Sequence, residues 1–145
     1  MINLMAPINP LGYGVVGLNI AKALNSIHKT SLFPIGEVEV TSQEDADAVK
    51  LCLQNREEFD AKEQIGNGLR CGFPIFELDT FNDTELHHLN SLDKIFVCSQ
   101  WAKDVVCDNL YNSYKRLDLK DNVHVVPLGV DLSIFKHSQD SNNED

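Results

Sequence analysis

Along this chain, short apolar runs alternate with segments whose apolar residues recur every three or four positions. Residues 2–6 form a short run that predicts a buried strand at the N-terminus. A loop dense in turn residues follows, Pro7-Ile8-Asn9-Pro10-Leu11-Gly12-Tyr13-Gly14. From about Val15 the steps become helical through Val16, Ile20, Ala23, Leu24 and Ile27, and residues 30–35 predict a second strand. After an acidic connection, the pattern from Gln43 to about Phe59 predicts a polar helix with Ala46, Val49, Cys52 and Leu53 toward the core. A loop with Gly66 and Gly68 then leads to a third strand over residues 71–78, where Pro74 demands an edge or bulge position.

Asn82-Asp83-Thr84-Glu85 reads as a cap for a short helix over residues 86–92. Residues 94–98 predict a fourth strand, apolar enough for burial on both faces. Ser99 is placed to cap the next helix, whose apolar side reads as Trp101, Val105, Val106, Leu110, Tyr111 and Tyr114. Residues 123–127 predict a fifth strand, after which Gly129 permits a bend and Asp131 is placed to cap the next turn. The segment 137–145 is polar throughout and is expected to be a disordered tail.

Strands alternating with helices imply an α/β domain over residues 1–136 with a parallel sheet wound by crossovers. In such sheets ligands bind beyond the carboxyl ends of the strands. The loops after Ala6, Leu78, Cys98 and Pro127 therefore hold the candidate chemistry.

Charge narrows the partners. The net charge is −10, and between Glu37 and Glu63 nine carboxylates face only Lys50, Arg56 and Lys62. Such a surface repels phosphate backbones and anionic lipid, which excludes nucleic acid and membrane headgroups as partners. Cys52, Cys71, Cys98 and Cys107 form no C-x-x-C pair and have no histidine at zinc-like spacing, so reduced cysteines and no metal site are expected. A basic leader, an h-region and an apolar run of membrane-spanning length are all missing from the pattern, so a soluble, cytoplasmic protein is expected.

Three constellations could carry chemistry. Gly12-Tyr13-Gly14, with Gly17, gives a G-x-G-x-x-G spacing that opens a helix. Glycines there let backbone N–H groups approach a ligand, and the helix N-terminus favours an anion. A nicotinamide cofactor would need the glycines directly after the first strand and an acid at the end of the second; Glu37 is near that place, but the glycines come six or more residues late. The bland alternative is a connection that only turns the chain. Gly14→Val is expected to remove ligand binding and spare the fold. Phe76-Glu77-Leu78-Asp79 puts Glu77 at a strand end, either to meet sugar hydroxyls, to act as a base, or as a solvated terminus. Val97-Cys98-Ser99-Gln100-Trp101 places a cap serine at the mouth of the crevice, with Trp101 read as core or else as a stacking wall. His87 and His88 are expected at the surface.

Taken in order, these residues resemble the N-terminal half of a GT-B glycosyltransferase of the glycosyl transferase group 1 type. The resemblance covers residues 2–136. It rests on the Gly12-Tyr13-Gly14 loop, the strand ending in Glu77, the segment from Asp93 to Lys103, and Val125-Val126-Pro127-Leu128-Gly129-Val130-Asp131 with Phe135. Phe76 stands where many members place a histidine. The resemblance implies a Rossmann-like parallel sheet flanked by helices, a single domain forming half of a GT-B architecture. It also implies that Gly12, Tyr13 and Gly14 meet the donor phosphates or transferred sugar, and that Glu77, Ser99 and Gln100 border the acceptor.

The expected function is a contribution to sugar transfer from a nucleotide-sugar donor to an acceptor such as a glycan. A separate donor-binding domain or polypeptide carrying the family's E-x7-E segment would complete the cleft, so the isolated chain is expected to be inactive. The donor acts as substrate, and no cofactor is expected. The alternative is a non-catalytic glycan- or protein-binding module derived from such an enzyme.

Overall fold

The structure is a computed structural model and describes residues 1–57, 68–130, 132, 133 and 135. Of the expected loop over residues 63–70, residues 63–67 lie outside the described residues and residues 68–70 are neither helix nor strand; the Asp131 cap and the polar tail also lie outside. The chain forms two compact units, Met1–Asn67 and Gly68–Asp145. Both are α/β, built of small parallel sheets flanked by helices.

In the first unit, β1 (Ile2–Ala6) pairs in parallel with β2 (Thr30–Pro34), in register from Ile2 opposite Thr30 to Ala6 opposite Pro34. Parallel pairing requires a crossover, which α1 (Gly12–Ile27) supplies. The helix starts three residues before the expected position. Its first turn is glycine-rich and lacks the apolar periodicity that marks the rest. Leu11 takes the extended cap conformation, and Val15 N–H closes the first turn on the Leu11 carbonyl at 2.9 Å. The strand β1 buries mainly one side, since Met5 is exposed. The acidic helix α2 (Gln43–Glu57) follows, with Val49 and Cys52 buried beside Ile8 and Leu32.

A buried amide ties these elements together. Asn55 Nδ2 donates to Asn25 Oδ1 at 3.1 Å and to the Thr30 carbonyl at 2.8 Å, while Thr30 N–H donates to the same Asn25 oxygen. Each group taken from water thereby keeps a partner, which avoids the cost of an unpaired buried dipole. At one end of the α1–α2 pair, the Lys22 ammonium meets Asp45 at 2.9 Å and Glu44 at 3.0 Å. Hydrogen bonds from Lys22 and then Ser42 hold the Asp45 carboxyl below its usual range, and the same acids raise the lysine.

In the second unit, β3 (Cys71–Gly72), β4 (Lys94–Val97) and β5 (Val123–Val125) form a parallel ladder in that order. The third strand has two residues rather than the expected eight. Gly72 opposes Ile95, and two positions later Pro74 brings no N–H to continue the ladder. Phe76 instead packs on the core of this unit with Phe81. The fifth strand ends at Val125, with one further bond from Val126 N–H to the Val97 carbonyl at 2.7 Å.

Helix α3 (Asp83–Asn90) carries the expected cap. Asn82 Oδ1 accepts from Glu85 N–H, and the Glu85 carboxylate accepts from Asn82 N–H. Helix α4 (Gln100–Tyr114) and a short α5 (Leu119–Asn122), which periodicity does not announce, complete the unit. The core is Leu86, Leu89, Ile95, Val97, Ala102, Val106, Leu110, Leu119 and Val123. The expected apolar side of α4 is corrected. Ala102, Val105, Val106 and Leu110 are buried, but Trp101 and Tyr111 are each 50% exposed and Tyr114 is also exposed. With about 100° of rotation per residue, a stripe centred on 102, 106 and 110 leaves 101 and 111 outside it.

Arg116 fastens the end of this unit. Its guanidinium donates Nε to Asp118 Oδ1 at 2.7 Å and Nη2 to Oδ2 at 3.0 Å, and Nη1 reaches the Asn90 carbonyl. That fork lowers the Asp118 carboxyl to about 2, with Asn122 adding a further hydrogen bond.

Candidate functional site

The six residues expected to border a ligand fall three in each unit. Gly12, Tyr13 and Gly14 are the first three residues of α1. Asn9 shapes the approach to them, its Oδ1 accepting from Leu11 N–H at 3.0 Å. Among the described residues no acceptor meets the N–H groups of Gly12, Tyr13 or Gly14. Gly12 and Tyr13 are exposed, so their two N–H groups are open at the helix end with its partial positive charge, whereas Gly14 is buried.

The two glycines differ in what they do. A Cβ on Gly12 would meet no atom within 4 Å, so its backbone is open to a ligand. A Cβ on Gly14 would collide with the backbone N and O of Asn9 and with its side chain, and one on Gly17 with the Pro7 carbonyl. Gly14 and Gly17 are buried where α1 lies against its own entry loop. The G-x-G-x-x-G spacing is thus chiefly a close-packing device at its second and third glycines. The expectation that Gly14→Val spares the fold is overturned by these contacts. Gly12 is the position where a side chain can be added cleanly. Tyr13 is exposed, its ring available to a ligand at the same turn.

In the second unit, Ser99 caps α4 as expected, its Oγ accepting from Ala102 N–H at 3.1 Å. Gln100 is exposed and donates Nε2 to Asp104 Oδ1 at 2.8 Å. Glu77 is also exposed, in a bend rather than at the end of a strand, because β3 stops at Gly72. Its neighbour Phe76 contacts Trp101 with ring centroids 5.8 Å apart, and Phe81 meets Phe76 edge-on at 4.8 Å. The Asp79 carbonyl accepts from Asn109 Nδ2 at 2.9 Å. These contacts lay Phe76 and Asp79 against α4, whose start holds Ser99 and Gln100.

Two residues that sequence reasoning passed over matter to the first unit. Asn25 and Asn55 carry its buried hydrogen bonds, and a polar residue amid the helical period of α2 was the available signal. His87 and His88 are exposed, as expected. Glu37 is exposed too. The cysteines are free; burial pushes the Cys52 and Cys107 thiols up, which makes them poor nucleophiles. Among the described residues, no group of three or more His, Cys, Asp or Glu could hold a metal ion. No helix among them is long and apolar enough to cross a membrane. A cleft of about 240 Å³ lined by Lys22, Asn25, Ser26, Ala48, Leu51 and Cys52 holds none of the six candidates, and Lys22 is already paired there. Compared with family models, curated proteins and solved structures, the chain matches none.

Proposed function

We propose that this chain is the N-terminal, acceptor-side domain of a GT-B glycosyltransferase. It would contribute to transfer of a sugar from a nucleotide-sugar donor to an acceptor, with a separate donor-binding domain or polypeptide completing the cleft. The observation that carries the reading is the first turn of α1. There the open Gly12 and the exposed Tyr13 present two N–H groups without acceptors in the helix that follows β1, as a phosphate or sugar-phosphate oxygen requires.

The division of labour follows from charge. Departure of a nucleoside diphosphate needs its developing negative charge neutralised, which is an electrostatic task. A chain of net charge −10 supplies backbone dipoles at one helix end but little cationic side-chain help. The donor's affinity and the neutralisation of its leaving group therefore fall to the partner domain. Glu77, Ser99 and Gln100 would face the acceptor.

Mixing the chain with a panel of nucleotide sugars tests this, with heat of binding and nucleotide release both followed. Weak, saturable binding without turnover is expected, and Gly12→Val should abolish it without loss of stability. Tight donor binding or nucleotide release by this chain alone would contradict the division of labour. Unchanged binding by Gly12→Val would remove the first turn of α1 from the site.

A further inference from the structure

The half-exposed Trp101 has a setting that a donor-phosphate site at α1 does not explain. It stands in the first turn of α4, outside the buried stripe, on a helix whose apolar residues are otherwise mostly covered. A large apolar ring left open costs burial free energy that a core position would recover. Its orientation is supported nonetheless: Phe76 contacts it at 5.8 Å with the rings tilted by 41°, and Phe81 braces Phe76 edge-on. Phe76 and Phe81 pack on the core of the same unit, so the indole is backed by anchored side chains.

The rim around the ring decides what it can hold. Asp104 and Asp108 lie three and seven residues along α4, on the same helix face, and both are exposed. Gln100 is fixed by its bond to Asp104, which leaves the amide oxygen and the second carboxylate oxygen as oriented acceptors. Glu77 and Asp79 are exposed in the segment that Phe76 leads. The neighbouring cation, Lys103, turns its ammonium to the Lys120 carbonyl at 3.4 Å. Tyr111 offers no second platform, because the Lys115 ammonium sits over its ring at 5.3 Å from the centroid.

The geometry points to Trp101 as a stacking platform for a neutral or amino-substituted sugar ring. A pyranose presents one face of polarised C–H groups, which suits the negative π-face of indole, and a perimeter of hydroxyl donors, which suits acceptors such as Gln100 and Asp104. An apolar protein segment would desolvate those carboxylates without pairing them. A nucleotide, a uronic acid or a sialic acid would bring like charge to an acidic rim. This inference stands on the aromatic geometry and not on the donor reading of α1, and it holds equally for an enzyme and for a non-catalytic module.

Trp101 is the only tryptophan in the chain, so its fluorescence reports on this site alone. The full chain is titrated with cellobiose, maltose, mannobiose and chitobiose, with sialyllactose as the anionic probe and a nucleotide sugar as the donor probe. A saturable shift in emission with at least one neutral disaccharide is expected, and none with sialyllactose. By calorimetry, Trp101→Ala should weaken that disaccharide about tenfold and Trp101→Phe about threefold, the aromatic variant serving as the folded control. An unshifted emission across the neutral panel would overturn the assignment, as would an equal response to sialyllactose. Undiminished disaccharide binding by Trp101→Ala, or an emission shift with protein concentration alone, would also overturn it. A disaccharide response in emission, with no heat of nucleotide-sugar binding by calorimetry, would keep the platform and remove the donor reading; the reverse pattern would do the opposite.

Discussion

In Met1–Asn67 the helix after β1 is positioned by what two glycines lack, whereas in Gly68–Asp145 the helix after β4 is positioned by what a serine side chain supplies. Gly14 and Gly17 let α1 settle onto the Asn9 and Pro7 backbone, and its first-turn N–H groups keep no acceptor among the described residues. Ser99 takes the Ala102 N–H for itself, and the open surface beside that cap is an aromatic ring. The same strand-to-helix junction thus presents dipoles in one unit and a hydrophobic plate in the other. The proposed donor contact rests on the first and the proposed sugar stacking on the second.

The difference in construction can be broken residue by residue. The largest effect is expected in the second unit, which relies on its apolar core. Leu110 is fully buried there, so Leu110→Ala should cost about 3 kcal/mol in urea unfolding, from lost transfer energy plus the cavity. In the first unit the corresponding weak point is steric. Gly14→Val should cost about 2–3 kcal/mol because the new side chain meets backbone that cannot swing aside. A Gly14→Val protein as stable as the parent would show that α1 does not lie on Asn9.

Asn55→Leu probes the polar half of that unit. It strips the Thr30 carbonyl and Asn25 oxygen of a donor, for an expected loss of about 2 kcal/mol by thermal or urea unfolding. Ser99→Ala should cost about 1 kcal/mol, the usual value of a helix cap, and Ser99→Asp should restore most of it.

The smallest effect is electrostatic. The Asp118 carboxyl, held at about 2 mainly by hydrogen bonds from Arg116, is depressed in the folded chain. Its contribution is therefore fully present above the unfolded value near 4 and disappears as pH falls toward 2. Asp118 is about half exposed, so screening limits the loss to below about 1 kcal/mol. Comparing Asp118→Asn with the parent over that range should isolate it: the variant's acid slope should be shallower. Equal slopes would show that the fork carries no stability.

Most of the element order is legible in the sequence because it rests on local signals. Residues 2–6 matched the strand fully, and the Asn82–Glu85 box and Ser99 cap follow from side-chain chemistry within three residues of the helix start. What periodicity misses depends on contacts between segments far apart in the chain. The third strand stops at Gly72, just short of Pro74, but the path of the next residues, with Phe76 against Trp101 and Asp79 against Asn109, is encoded by no local pattern. Trp101 and Tyr111 look like core on composition, yet the rotation of α4 is set by Ala102, Val106 and Leu110 meeting the sheet. The glycine spacing is visible in sequence, but its use is not. Only the approach of Asn9 and Pro7 separates the packing glycines, Gly14 and Gly17, from the open Gly12.

The proposed dipole site in one unit and the proposed ring site in the other can be told apart in a single amide NMR titration of the isotope-labelled chain. Added nucleotide sugar should move the backbone amides of Gly12, Tyr13 and Gly14 first, and a neutral disaccharide should instead move the Trp101 indole N–H. Amides that stay fixed at the α1 first turn, while the nucleotide sugar binds elsewhere or not at all, would contradict the donor-side role of the glycine loop.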